Sequence, residues 1–484
     1  MHIVRQWRLT MVRDHEGIRP VNRLQLILLV LTATLVRFNA SATSADAPNV
    51  LVIVSDDQRP DTIAELGNRR IKTPTLDQLV RQGVAFTRAT CGFPLCVPSR
   101  SEILTGATAM RTGIGFGRRT IDPELTLWGN AMRSGGYRTW YCGKWMNDGS
   151  PKTRGYDETA GLFSSGGAGA AGKTPRHGRF GRLITGYRGW TFKTNDGQPE
   201  LQKGIGLTGE TSRHIADGAI ELLSRDLDRP FFLHVNFTAP HDPLILPPGY
   251  ENKYVSHEME VPPDFLPRHP FDHGNFEGRD EKLLPWPRTE EAIRQELAAY
   301  YAVIDDMDAQ IGRILRALDR SGRRENTVIV FTSDHGLALG SHGLMGKQNM
   351  YEHTIGVPFI IAGPGIPQGV RSDAQIYLRD MFPTVCELAG IETPATVQGK
   401  SLVPILNGET HEIYPAVYGY FYDFQRMVRT DRWKLIRYPK VDRTQLFDLK
   451  NDPFERNNLA DQPEHAATVR SLSNQLESWF AEQR

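Results

Sequence analysis

Three stretches of the chain share one pattern, an unbroken apolar run that ends in polar residues. They are "NVLVIVSDD" at 49–57, "RPFFLHVNF" at 229–237 and "NTVIVFTSDHG" at 326–336, and "VPFIIAG" at 357–363 is a fourth apolar run. A strand that is apolar on both faces has to be buried on both faces, as the central strands of a parallel sheet are. The chain therefore has to build a sheet that other elements cover on both sides.

Helical segments alternate with these runs. "TPTLDQLVRQG" at 73–83 combines Thr73 as an N-cap, a proline at the first helical position and Gly83 as a terminator. Residues 296–322 have the apolar spacing of a long amphipathic helix that ends at Gly322. Alternating strands and helices predict an α/β fold, with a large, mostly parallel sheet between layers of helices.

The character of the sequence changes after about residue 400. "AVYGYFYDFQRMVRTDRWKLIRYP" is typical of short antiparallel strands, and residues 463–482 are typical of a closing helix. We therefore expect a main domain over 43–400 and a small C-terminal α+β domain with an antiparallel sheet over 401–484. Within the main domain, the glycine-rich basic segment 161–190 is interpreted as a loop or insertion, and the proline-rich residues 243–290 as a long excursion over the surface.

The N-terminus has the three parts of a secretory signal. Five arginines precede a short apolar run at 24–36, and the small residues "ASA" follow at 40–42. The apolar run is too short for a comfortable membrane span. The pattern predicts a signal peptide over 1–42, export to the periplasm or to the outside of the cell, and no stable membrane anchor after cleavage. An uncleaved anchor or a buried helix is the alternative.

Composition limits the partners and the role of the cysteines. Lysine plus arginine (57) nearly balances aspartate plus glutamate (56), so no global charge indicates a nucleic-acid partner, and any anion binding has to be local. Four cysteines in 484 residues are too few for a disulfide framework. Their spacing also fits no zinc template.

Polar residues follow the apolar runs where the strands should end. Asp56 and Asp57 come after the first run, Asp334 and His335 after the third, and His241 a few residues after the second. Parallel strands end at one edge of a sheet, so these side chains should gather there. Two adjacent carboxylates can be buried only with a compensating cation, although a solvated turn is the alternative. Carboxylates favour calcium or magnesium, and a histidine leaves manganese or zinc open.

Cys96 stands directly before a predicted helix. "VPSRSEILTG" at 97–106 has Pro98 in its first turn and a glycine past its end. A thiol at the positive end of the helix dipole, with Arg100 one turn away, would be a thiolate of lowered pKa and a plausible nucleophile. From these residues alone, a disulfide partner, a metal ligand and a small buried residue remain open for Cys96.

Cys96-Val97-Pro98-Ser99-Arg100 also matches Cys-x-Pro-x-Arg, the motif for conversion of cysteine to formylglycine. It stands in an ordered series with "VLVIVSDDQRPD", "YCGKW", "APHDP", "TSDHG", "GKQNMYEHTIGVPFIIAGPG" and "QLFDLKNDPFERNNLA". Over nearly the whole mature chain this series resembles the type I sulfatases of the alkaline phosphatase superfamily. The resemblance implies an alkaline phosphatase-like fold, hydrolysis of sulfate esters, and a formylglycine-generating maturation enzyme as a partner.

The resemblance also implies roles for the residues at matching positions. One calcium ion would be held by five of them: Asp56, Asp57, Asp334, His335 and the modified Cys96. The catalytic group would comprise Cys96 as nucleophile, Arg100 bound to its hydroxyl, Lys144 and Lys347 on the sulfate oxygens, His241 on the sulfate and leaving group, and Asp334 as base. One hydroxyl of the hydrated aldehyde would attack sulfur, and the alcohol would leave with a proton from His241 or Lys347. The second hydroxyl would then expel sulfate and regenerate the aldehyde.

One position departs from the family's pattern. The family commonly has Gly-Lys-x-His where this chain has "GKWMNDG", so that Met146 replaces a histidine that helps to expel sulfate. Because methionine cannot move a proton, the release step would depend on Asn147, His342, His353 or a water, or would be slow.

The sequence does not fix the substrate. The export signal and the basic loop favour a sulfated carbohydrate over a small aryl or choline ester. A phosphonate or phosphodiester hydrolase on the same fold, and a non-catalytic binder of sulfated glycans, are the alternatives.

Overall fold

A computed structural model describes residues 47–115, 117–166, 174, 176–178 and 181–483. The predicted signal peptide over 1–42 lies outside the described residues. Among the helices of the described part, none is long and apolar enough to cross a membrane.

Ten strands of the described chain form one sheet. They are β1 (Asn49–Ser55), β2 (Gly83–Thr90), β3 (Arg138–Trp145), β4 (Glu158–Ser164), β5 (Thr191–Lys193), β6 (Phe231–Asn236), β7 (Thr327–Ser333), β8 (Gly356–Val357), β9 (Phe359–Ala362) and β10 (Val370–Tyr377). Their order across the sheet is β10-β2-β9-β7-β1-β6-β3-β4-β5, and β8 pairs with β2. The neighbours around β1, from β7 through β6 and β3 to β4, are all parallel, whereas β9 is antiparallel to both β7 and β2.

The helices of the described chain are α1 (Pro74–Gln82), α2 (Cys96–Thr105), α3 (Ala109–Thr112), α4 (Trp128–Ser134), α5 (Thr211–Leu223), α6 (Glu290–Arg320), α7 (Glu352–Ile355), α8 (Met381–Leu388), α9 (Val403–Leu406) and α10 (Ala466–Glu482). Alternate residues of β1 enter two different cores. Leu51 packs in the core that contains Ile304 of α6, and Val52 in the core that contains Trp128 of α4. Helices therefore cover both faces of the sheet, and the predicted α/β architecture is confirmed.

One helix prediction needs correction at its start. The long helix α6 begins at Glu290 rather than at 296, because Thr289 caps it: its hydroxyl accepts a hydrogen bond from the backbone N–H of Ala292 (3.2 Å). The prediction that Gly83 terminates α1 is confirmed, since the helix ends at Gln82 and Gly83 is already the first residue of β2. A side chain at Gly83 would meet the carbonyl oxygen of Ile361 at 2.2 Å, so a close approach of β9 requires this glycine.

The proline-rich residues 243–290 are more than a surface excursion, so that prediction is partly wrong. The segment buries several of its polar side chains, among them Asp264, His269 and Glu281. Phe265 also forms a β-bridge with Ser341 in the loop after β7. The segment therefore supports the loop that carries Lys347.

A second sheet lies near the C-terminus. Its strands β11 (Val417–Phe421), β12 (Gln425–Arg429), β13 (Trp433–Tyr438) and β14 (Arg443–Asp448) are antiparallel and follow chain order. Leu476 and Phe480 of α10 join the core beneath this sheet. The predicted antiparallel sheet and closing helix are confirmed, whereas the domain boundary at 400/401 stays a prediction.

Candidate functional site

The ends of three neighbouring strands deliver the predicted polar residues to one place. Asp56 and Asp57 follow β1, Asp334 and His335 follow β7, and His241 lies five residues after β6. Backbone groups tie these ends together. The N–H of Asp57 donates to Oδ1 of Asp334 (3.2 Å), and the N–H of Asp56 donates to the carbonyl oxygen of Ala239 (3.0 Å). All five side chains are buried.

Cys96 is the first residue of α2, and its thiol lies within this group. Its Sγ is 3.6 Å from Oδ1 of Asp56, 3.4 Å from Nε2 of His335 and 3.4 Å from Nζ of Lys347. A disulfide is excluded because Cys96 is free, as are the other three cysteines. Position 96 therefore shares one buried space with the acidic strand ends.

Three basic side chains balance the three buried carboxylates. Nζ of Lys144 is 2.6 Å from Asp56, Nζ of Lys347 is 2.7 Å from Asp57, and Nε of Arg100 is 3.0 Å from Asp334. Each basic side chain comes from a different element: the end of β3, the loop after β7, and the second turn of α2, respectively. Arg100 pairs with a carboxylate and does not contact Cys96. This is the position expected for a residue that balances the charge of the acidic site.

The surrounding charges shift the pKa values of the central groups. Burial raises the pKa of the Cys96 thiol, but Lys144 and Lys347 outweigh burial and lower it to about 6. Burial likewise opposes ionisation of Asp56, yet Lys144 holds the pKa of that carboxyl well below its ordinary value. The two lysines therefore favour the thiolate form of an unmodified Cys96, and Nζ of Lys347 contacts its sulfur (3.4 Å).

Both histidines of the site face carboxylates. Burial lowers the pKa of His241, but Asp57 raises it to about 10, and Asp334 raises that of the buried His335 to about 9 in the same way. Nδ1 of His241 is 2.6 Å from the carbonyl oxygen of Asp242, and its Nε2 is 3.9 Å from Asp57. That arrangement turns Nε2 of His241 towards the strand ends.

Sequence reasoning missed three residues that contact the site. The hydroxyl of Tyr187 donates a hydrogen bond to Oδ2 of Asp56, Asn236 accepts one from Arg100 (2.6 Å), and Arg279 holds the carboxylate of Asp242 (2.6 Å). Asn236 could have been found, because it ends β6 beside the other strand ends. Tyr187 lies in the glycine-rich segment, where no periodicity indicated a buried side chain.

The three side chains that could replace the family's histidine contact other groups. Nδ2 of Asn147 donates to the carbonyl oxygen of Val97 at the start of α2 (3.2 Å). His342 and His353 instead surround the carboxylate of Asp264, with closest nitrogen to oxygen distances of 3.1 and 3.8 Å. Asn147 therefore lies beside the site, and the two histidines form a separate cluster.

The donor set fits a divalent metal ion. One ligand atom from each of Asp56, Cys96, Asp334 and His335 lies within 4.8 Å of the others, and all four residues are buried. Asp57 is close to this group, since its Oδ1 is 3.4 Å from Nδ1 of His335. Three buried carboxylates in one place suit a hard cation with oxygen ligands.

An α/β sheet that gathers carboxylates, basic side chains and a cysteine at its strand ends has the groups with which an enzyme can bind an anionic substrate and attack it. The family model "Sulfatase" matches residues 48–391, and the model "N-sulphoglucosamine sulphohydrolase, C-terminal" matches residues 340–482. The chain belongs to the sulfatase family and is a sulfuric ester hydrolase.

Curated relatives and solved structures agree with this family. A "Sulfatase" of Formosa agariphila is 30% identical over 90% of this chain and 88% of its own length, and a "Choline-sulfatase" of Rhizobium meliloti is 30% identical over 86% and 83%. An "Ulvan-active sulfatase" of Formosa agariphila is 28% identical over 96% and 87%. The solved structure of BT4656 with its substrate D-glucosamine-2-N,6-O-disulfate shares the fold, with a TM-score of 0.74, 24% identity and coverage of 90% and 98%.

Proposed function

We propose that this chain is an exported sulfatase that removes sulfate esters from a sulfated carbohydrate, with formylglycine made from Cys96 as its nucleophile. The observation that carries the proposal is the position of Cys96, whose Sγ contacts Asp56, His335 and Lys347 at the N-terminus of α2. A formylglycine-generating enzyme would convert the thiol to an aldehyde, and the hydrate of that aldehyde would supply the attacking hydroxyl.

Calcium is the ion that we propose for the metal site. Asp56, Asp57, Asp334, His335 and the modified residue 96 would hold it, because three of these five are buried carboxylates. The ion would supply Lewis-acid stabilisation of charge on the sulfate oxygens.

The remaining side chains have proposed roles that follow from their contacts. Lys144 and Lys347 would bind sulfate oxygens, since both ammonium groups lie buried at the strand ends beside Cys96. Arg100 would donate a hydrogen bond to the hydroxyl of the modified residue 96 and balance charge, because Asp334 and Asn236 hold its guanidinium group at the site. We assign the base role to Asp334.

His241 would act on the leaving oxygen. Its Nδ1 is engaged by Asp242, so its Nε2 is available to the site. Sulfate release would use a water as proton carrier, because Met146 cannot move a proton and the three candidate replacements are occupied elsewhere.

The carbohydrate substrate is supported by the names of similar proteins. One relative is an ulvan-active sulfatase, and the structure of BT4656 was solved with a disulfated glucosamine. Export also favours a polymeric or extracellular substrate. We further propose that a signal peptide over 1–42 is removed, and that 43–400 and 401–484 are separate domains of the mature protein.

The test has two parts. Mass spectrometry of the peptide that contains residue 96 should show an aldehyde in protein made with a maturation enzyme and a thiol in protein made without one. Only the aldehyde form should release sulfate from sulfated sugars. A fully converted protein that releases no sulfate from sugar, choline and aryl sulfates would refute the proposal, and one that prefers choline or aryl sulfates would refute its carbohydrate part.

A phosphonate or phosphodiester hydrolase is the second candidate. It is favoured by the fold that this chain shares with a phosphonate monoester hydrolase of Agrobacterium radiobacter, with a TM-score of 0.71, 24% identity and coverage of 90% and 96%. Sulfuryl and phosphoryl groups have similar shapes and different charges, so kcat/KM for a sulfate and a phosphonate monoester with the same leaving group decides between them. We expect the sulfate ester to be the better substrate.

A further inference from the structure

Asp264, His342 and His353 form a second cluster of metal-ligating side chains, outside the catalytic site. Nε2 of His342 is 3.1 Å from Oδ2 of Asp264, and Nδ1 of His353 is 3.8 Å from the same oxygen. One ligand atom from each residue lies within 4.8 Å of the others. All three residues are at most 8% exposed. The proposed catalytic residues contribute nothing to this cluster.

Hydrogen bonds within the described part of the protein do not explain why these three polar side chains are buried together. Nε2 of His342 is buried and has no hydrogen-bond partner among the described residues, although Asp264 is 3.1 Å away, so the two groups are close but poorly aligned. A buried polar atom without a partner costs about 1–3 kcal/mol, so the imidazole of His342 needs a partner that the described protein atoms do not provide.

The distances suit a small metal ion. In a tetrahedral zinc site each nitrogen or oxygen ligand lies about 2.0–2.1 Å from the ion, which places neighbouring ligand atoms about 3.4 Å apart. The distances from Asp264 to His342 and His353, 3.1 and 3.8 Å, bracket that value. Two imidazoles and one carboxylate are also a donor set typical of zinc and less suited to calcium.

The surroundings of Asp264 resemble those of a metal-binding carboxylate. Its other oxygen, Oδ1, accepts a hydrogen bond from the hydroxyl of Ser341 (3.0 Å), and Arg59 donates to that hydroxyl (3.2 Å). Such a second layer of hydrogen bonds fixes the orientation of a ligand carboxylate.

We propose that Asp264, His342 and His353 bind a divalent transition-metal ion of the zinc type, with a water as the fourth ligand. The ion is separate from the catalytic metal. His342 and His353 stand on either side of Lys347 in the sequence, and Asp264 comes from the proline-rich segment. A bound ion would therefore link the loop that carries Lys347 to the proline-rich segment.

Zinc content measured by elemental analysis tests the proposal. The background is a Cys96→Ala/His241→Ala/His335→Ala protein, which lacks the histidine and cysteine ligands that lie close to Asp56, Asp57 and Asp334. After loading with zinc and desalting, it should retain about one ion per chain. His353→Gln in this background should remove the ion. His214→Gln, which changes a half-buried histidine outside both clusters, should leave it in place. The absence of zinc from the background protein, or equal zinc before and after His353→Gln, overturns the proposal.

A second measurement covers the case in which His353→Gln does not fold. Cobalt added to the metal-stripped background protein should produce the visible absorption of a low-symmetry cobalt site, and zinc should abolish that absorption by displacement. Neither step requires a change in the cluster. A stripped protein that gives no absorption with cobalt contradicts the proposal.

Discussion

Two buried ionic networks can be compared within this chain. At the strand ends, the carboxylates of Asp56, Asp57 and Asp334 face three basic side chains. Near the C-terminal sheet, Glu352 contacts Arg429 (2.7 Å) and Lys434 (2.9 Å), and Glu455 contacts Lys434 (2.7 Å). The numbers of acidic and basic groups are balanced in both networks, so balance alone does not mark a functional site.

The difference lies in what else the carboxylates touch. Glu352 and Glu455 bind basic groups and a backbone N–H, because Oε2 of Glu455 accepts from the N–H of Glu352 (2.7 Å). Asp56 also contacts the thiol of Cys96, and Asp57 lies within 3.9 Å of the imidazole of His241. A network that adds a nucleophile and imidazoles to paired charges can perform chemistry, whereas one that only pairs charges holds segments together. Four experiments test this distinction between the two networks.

The largest effect is expected for Cys96→Ala, which removes the proposed nucleophile from the network at the strand ends. Sulfate release should fall by about 10⁴-fold or more, as expected when a covalent nucleophile is lost. The charge pairs stay in place, so the thermal midpoint should change little. Activity assays and thermal unfolding of the same preparation check both outcomes, and an active Cys96→Ala protein would remove position 96 from the mechanism.

Metal removal should have the next largest effect. A chelator should lower the activity by about 10²–10³-fold, because three clustered carboxylates would lose the cation that polarises the sulfate. Calcium should restore it in the wild type, whereas Asp56→Asn protein should gain little. Full activity in metal-free protein would mean that Lys144 and Lys347 balance the carboxylates without an ion during catalysis.

Lys434→Met tests the other network. Lys434 is fully buried between Glu352 and Glu455, so its removal leaves the buried carboxylate of Glu455 without a basic partner, while Glu352 keeps Arg429. The free energy of unfolding should fall by about 3–5 kcal/mol, while kcat/KM of the folded protein stays within about threefold. Chemical denaturation measures the first quantity, and activity per folded molecule measures the second.

The matched control is Lys440→Met. Lys440 pairs with Asp423 at the surface (3.0 Å), where loss of the pair should change the free energy of unfolding by less than about 1 kcal/mol. If Lys434→Met abolished activity in folded protein, the division into a catalytic and a structural network would fail.

Much of the fold could be predicted because a strand that is buried on both faces has a continuous apolar sequence. The apolar run of β1 and the aspartates after it give both a central strand and its polar end. The beginning of α6 could not be predicted from apolar spacing, because Glu290 and Glu291 are polar and the start of the helix is set by the cap at Thr289.

The family pattern located Lys144 and Lys347, which no periodicity singles out. By contrast, Tyr187 and Arg279 come from segments without periodic spacing, and their contacts depend on how long loops fold back. Such non-local contacts are decided by packing in the folded state and have no local signature.

The smallest effect is expected for Tyr187→Phe, which removes the hydroxyl that donates to Asp56 and keeps the ring. Gly186 lets the chain approach closely here, since a side chain at that position would lie 2.7 Å from the carbonyl oxygen of Asp242. A hydrogen bond to a charged group contributes about 1.5–3 kcal/mol, so activity should fall by about 10- to 150-fold. Tyr301→Phe is the matched control, because that hydroxyl contacts Asn68 (3.1 Å) outside the site. Equal effects of the two changes on activity would show that the hydroxyl of Tyr187 has a structural role. The network proposed for catalysis would then consist only of the side chains at the strand ends and Cys96.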